Sequence, residues 1–141
     1  MATLDITRSI DINAPAEKVW AAITEPNLIA QWFGETCEFD ARPGGSGTFG
    51  WSEHGTFRVV VEHVDAPKTL IYRWARESDV DPVPGNSTVV RFDLTEVAGG
   101  TRLTLLETGF EDVPDPQSAH DGNTGGWQAE LGELVEFLES R

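Results

Sequence analysis

Cysteine is almost missing from this chain. With Cys37 alone, no disulfide can form within it, and a reducing compartment, the cytoplasm, is expected. Cations are scarce as well: Lys+Arg 10 stands against Asp+Glu 24, a formal charge of -14. Such a surface repels phosphate backbones and anionic lipid, which excludes nucleic acid and membrane surfaces as expected partners. No apolar run approaches a membrane span, and the start shows no basic-then-apolar leader pattern. Histidines are few and scattered: His54, His63 and His120 are too far apart in sequence to suggest a metal cluster. No GxSxG, P-loop or dinucleotide fingerprint occurs, so neither a metal nor a cofactor is expected. The glycine-rich "RPGGSGTFG" from Arg42 joins two strands instead of opening a helix, and reads as a hairpin turn. Internal repeats and low-complexity segments are missing too.

What is present is aromatic. Five tryptophans and seven phenylalanines in 141 residues predict an interior rich in flat side chains, in one domain over 1–141. The last stretch organises the rest. From Gly125 to Arg141, Trp127, Leu131, Leu134, Val135 and Leu138 share one helical face. Glu130, Glu133, Glu136 and Glu139 fall on the face expected in water. Asn123 or Thr124 caps the start in this reading, and Arg141 alone offsets the glutamates near the end. A helix of this length does not keep such a face dry alone, so a concave apolar surface must receive it.

The remaining elements supply that surface. Leu4, Ile6, Ile10 and Ile12 alternate with polar residues as a strand, with Arg8 on the dry face. Two short helices follow, the first with Val19, Ala22 and Ile23, the second with Leu28, Ile29, Trp32 and Phe33 before Gly34. From Thr36 to Thr108 the period is two. A loop at Glu53-His54-Gly55 sets Trp51 against Phe57 and Phe49 against Val59. A two-residue loop near Ala66-Pro67 sets Val61 against Tyr72 and Val59 against Trp74, with His63 inward. Val90, Phe92 and Leu94 face in, as do Leu103, Leu105 and Glu107 across the Ala98-Gly99-Gly100 turn. Seven antiparallel strands with one dry face and a long amphipathic helix predict an α+β fold.

The motifs "APAEKVWAAITEPNLIAQWFG" from Ala14, "RPGG" at Arg42, "HGTF" at His54 and "LIYRW" at Leu70 continue in "GGTRLTLLETGF" from Gly99 and "GGWQAELGELVEFLE" from Gly125. In this order the chain resembles the family named for the activator of the ninety-kilodalton heat-shock protein ATPase. That family lies within the START-like, polyketide-cyclase superfamily (SRPBCC). The resemblance implies a helix-grip fold: a curved sheet wrapped around the last helix, with a cavity between them. It also implies one of three uses: binding a hydrophobic small molecule, cyclising or dehydrating a polyketide, or partnering a chaperone.

A small, mainly hydrophobic ligand is the leading expectation. The expected contacts are Trp32, Phe33, Phe57, Tyr72, Trp74, Phe92, Glu107, Trp127 and Leu131, with the mouth near Trp32 and Phe33. Trp32 and Phe33 read more readily as core packing than as ligand contacts. Candidate acid/base groups for an enzyme are Glu107 and His63. An inward carboxylate must be paired or neutralised, and Arg8 on the neighbouring strand is the expected partner of Glu107.

Overall fold

The computed structural model describes residues 4–140, so Arg141 lies outside the described residues. Strand β1 (Ile6–Ile12) leads into α1 (Ala16–Thr24) and the single-turn α2 (Pro26–Ile29). Six strands follow: β2 (Thr36–Phe39), β3 (Ser46–Trp51), β4 (Gly55–Asp65), β5 (Thr69–Ala75), β6 (Ser87–Val97) and β7 (Gly100–Thr108). A 3-10 turn at Phe110–Asp112 precedes α3 (Pro116–Glu139). The strands form one curved antiparallel sheet in the order β1-β7-β6-β5-β4-β3-β2, the helix-grip arrangement. Alternation sends Val59, Val61, Leu70, Tyr72, Val90, Phe92, Leu103 and Leu105 to the dry face. Trp127, Leu131, Leu134 and Leu138 of α3 are buried against that face. The Trp127 ring stacks on Phe33 at 5.2 Å and meets Phe92 edge-on at 5.9 Å.

Register departs from the expectation in two places. Between β3 and β4, Phe49 lies opposite Phe57 and Trp51 opposite Gly55. The loop is Ser52 to His54, and Gly55, at φ +103°, already belongs to the strand. The shift is two residues, so every side chain keeps its expected face. Between β4 and β5 the pairs Val59↔Trp74 and Val61↔Tyr72 are as expected, but a bulge intervenes before His63↔Ile71. One extra residue on β4 reverses the phase beyond it. His63 is therefore exposed, and Val64 packs against the core in its place.

The long helix begins earlier than its apolar stripe suggests. It starts at Pro116, with Asp115 at the N-cap, and runs through Gly122, Gly125 and Gly126. Asn123 and Thr124 lie inside it and do not cap it. Proline suits a first helical position because its missing N–H would find no partner there anyway. Glu130 also departs from expectation: it is half-buried, whereas Glu133, Glu136 and Glu139 are exposed.

Candidate functional site

Glu107 is fully buried on β7, opposite Val90 of β6 and Ile6 of β1. Arg8 is not its partner. It pairs across the ladder with Leu105, and its guanidinium donates to Gln128 Oε1 at 3.5 Å. Hydrogen-bond donors from three other elements hold the carboxylate. Trp74 Nε1 donates at 3.0 Å from β5, and Trp127 Nε1 at 2.8 Å from α3. Asn123 Nδ2 lies 3.1 Å from both oxygens, and the Thr88 hydroxyl donates from β6. Donors aimed at a carboxylate satisfy it without a cation. The consequence is positional: one carboxylate fixes the rotation of two indoles whose centroids are 6.2 Å apart.

Those two indoles belong to a cleft of about 470 Å³ at one end of the sheet. Its aromatic walls are Phe33, Trp51, Phe57, Trp74 and Trp127. The polar groups on it are His54, Arg76, Asn123 and Glu130. Arg76 Nη1 donates to Asn123 Oδ1 at 3.0 Å, which in turn orients the Asn123 amide toward Glu107. Gly122 and Gly126 of α3 complete the lining, and a Cβ at either would meet nothing within 4 Å. The helix thus presents bare backbone where side chains would otherwise fill the space.

Four of the expected contact residues, Phe33, Phe57, Trp74 and Trp127, line this cleft, and Glu107 lies behind it. Trp32, Tyr72, Phe92 and Leu131 belong to the packed core instead. Trp32 donates its indole N–H to the Ala22 carbonyl at 2.8 Å, which ties it to α1 and away from the mouth. His63 lies exposed beyond the bulge, so it does not converge with Glu107. Sequence reasoning missed His54, Arg76, Asn123 and the row Gly122, Gly126, Glu130. The spacing of four in that row was the available signal, hidden because Gly122 fell before the expected start of the helix and Glu130 on the face expected in water.

Burial moves three ionisable groups. It raises the Tyr72 hydroxyl well above its ordinary range, helped by the charge of Glu107. The Cys37 thiol is pushed up to about 12 by burial and then by Glu38, which leaves it a poor nucleophile. The Glu130 carboxyl is raised to about 7, first by burial and then by Glu133. No group of three or more His, Cys, Asp or Glu is placed to hold a metal among the described residues.

Residues 13–139 match the family described as Activator of Hsp90 ATPase homolog 1-like protein. No curated protein matches the sequence. Among solved structures, MLL2253 from Mesorhizobium loti is 29% identical at a TM-score of 0.84, over 96% of this chain and 97% of that one. DynU16, a protein in the dynemicin biosynthetic locus, is 26% identical at 0.80, over 98% of this chain but 48% of that one. The Aha1 dimer from Colwellia psychrerythraea shares the fold at 0.80 with 20% identity, over 99% and 97% of the two chains.

Proposed function

The chain belongs to the family of Activator of Hsp90 ATPase homolog 1-like proteins, and from that premise we propose that it binds a small, mainly apolar molecule in the cleft between α3, β5 and the β3–β4 hairpin. One observation carries the reading. Four aromatic side chains, Phe33, Trp51, Phe57 and Trp74, line the cleft together with Trp127 of α3 itself, beside a stretch of that helix that two glycines leave bare, at the cost of helix propensity. Concave, aromatic surfaces with a few placed polar groups are the usual make-up of ligand sites. An enzyme using Glu107 or His63 has less support, because His63 lies away from the cleft and the Glu107 carboxylate behind it is already occupied by four donor side chains.

Gly126→Leu tests the reading directly. The new side chain projects into the cleft, and leucine favours a helix over glycine, so folding should hold. The neutral fluorophore N-phenyl-1-naphthylamine should bind the parent, quenching tryptophan emission, and the variant at least about tenfold more weakly. Equal affinity for both proteins, or no binding to the parent, would overturn the proposal. Leu131 is unsuited to a blocking substitution, since enlarging a core residue strains the fold itself.

The family description favours a second reading, association with a chaperone ATPase. A chaperone bound through the outer surface would be retained equally by the parent and by Gly126→Leu.

A further inference from the structure

Gly122, Gly126 and Glu130 are spaced by four, so they stand in one row along α3. Helical side chains lean toward the N-terminus, which carries Glu130 back over the turn containing Gly126. The row is therefore a trough with a carboxylate at one end. Trp51, Phe57 and Trp74 face it from the sheet.

That carboxylate is short of partners. Glu130 Oε2 is buried and makes no hydrogen bond among the described residues. Withdrawal from water raises its carboxyl to about 7, the Glu133 charge adds to this, and the Gly34 backbone N–H works the other way. Glu107 is more deeply buried, yet it receives donors from four side chains. One acid behind the cleft is saturated, and the one on its wall keeps one oxygen, Oε2, without a donor among the described residues. A buried acceptor left unmade is costly, so a molecule that brings a donor there binds in preference to one that does not. A cationic donor would also meet Arg76, whose guanidinium donates to neutral Asn123 and keeps its full charge on the same cleft.

Resting on the reading of the cleft as a small-molecule site, we propose that Glu130 is its polar anchor. The molecule it selects is a flat apolar ring system with a neutral hydroxyl or N–H donor at one end.

The test uses a matched pair, 2-naphthol and 2-methoxynaphthalene, which differ in whether the oxygen can donate. Titrations track tryptophan quenching in the parent and in Glu130→Gln. The parent should prefer 2-naphthol by about tenfold or more, since a carboxylate is the stronger acceptor. Glutamine offers both an acceptor and a donor, so the preference should fall below about threefold. The parent's preference should also grow between about pH 5.5 and about pH 8, as the carboxyl ionises, and stay flat in Glu130→Gln. The titratable and charged groups around Glu130 are Glu133 on its own helix, His54 on the hairpin, Arg76 after β5 and Glu107 behind. A slope that persists in Glu130→Gln belongs to one of those and overturns the assignment. Equal binding of the two naphthalenes by the parent overturns the anchor and leaves the cleft. If neither binds, the cleft reading fails and the anchor fails with it.

Discussion

A buried carboxylate is held either by a cation or by hydrogen-bond donors, and the two leave different marks when one partner is removed. Glu107 is of the second kind, with Trp74, Thr88, Asn123 and Trp127 as donors. Glu107→Gln keeps the shape but turns an N–H toward at least one of those donors. Leaving a buried donor unmade costs about 1–3 kcal/mol, and chemical denaturation should read a loss of that size. Arg8→Met, on a partly exposed residue opposite Leu105, should change stability by no more than about 0.5 kcal/mol. The double variant should be additive within about 0.5 kcal/mol. Larger coupling would mean that Arg8 and Glu107 act on one another after all. The inward direction of Glu107 is legible from the alternation of "TRLTLLET", because a period of two assigns each residue a face. Its partners are not legible. They come from β5, β6 and α3, and alternation determines which face a residue takes without determining what it meets there.

The same distinction governs whole elements. All seven strands, and their dry faces except in β4 beyond its bulge, can be read from the sequence, because the pattern survives a two-residue slip such as that between β3 and β4. The β4 bulge is different. One extra residue between Val61 and His63 inverts the facing of the rest of the strand, and no residue type at that point announces it. Helix α3 shows the opposite problem, a helix concealed by its composition. Glycine costs a helix interior about 1 kcal/mol relative to alanine, so three glycines between Gly122 and Gly126 weaken the helical pattern, and the expected start falls at Asn123 or Thr124, after Gly122. Tertiary contacts outweigh that cost: Ala119 and Trp127 are buried on the same helix, and Asn123 is tied to Glu107. Gly125 is exposed and stands outside the row facing the cleft. Gly125→Ala should therefore raise stability by about 0.5–1 kcal/mol without changing fluorophore affinity. Trp127→Ala should lower it by about 3–5 kcal/mol, as a large aromatic removed from a core does. A destabilised Gly125→Ala protein would show that this stretch is not helical.

For the molecule as a whole, the charge read from composition sets an unusual balance. Five arginines, Arg42, Arg58, Arg73, Arg91 and Arg102, form surface ion pairs of 2.7–3.4 Å. Such exposed pairs contribute little, because water and side-chain entropy offset the attraction. Against them stands the formal charge of -14 on one small sheet and its helices. Repulsion among these acids acts over longer distances than the pairs do, and salt distinguishes the two by range. Raising ionic strength from about 0.01 M to about 1 M shortens the screening length from roughly 30 Å to roughly 3 Å. Repulsions across the molecule then vanish, while pairs in contact keep much of their attraction. Since self-repulsion opposes the compact state, added sodium chloride should stabilise this protein. The melting temperature at neutral pH should rise by several degrees, the equivalent of about 1 kcal/mol for a chain of this size. A melting temperature that falls with salt would mean that the surface pairs outweigh the repulsion, and Arg102→Met, which removes the contact with Asp11, should then abolish part of the fall.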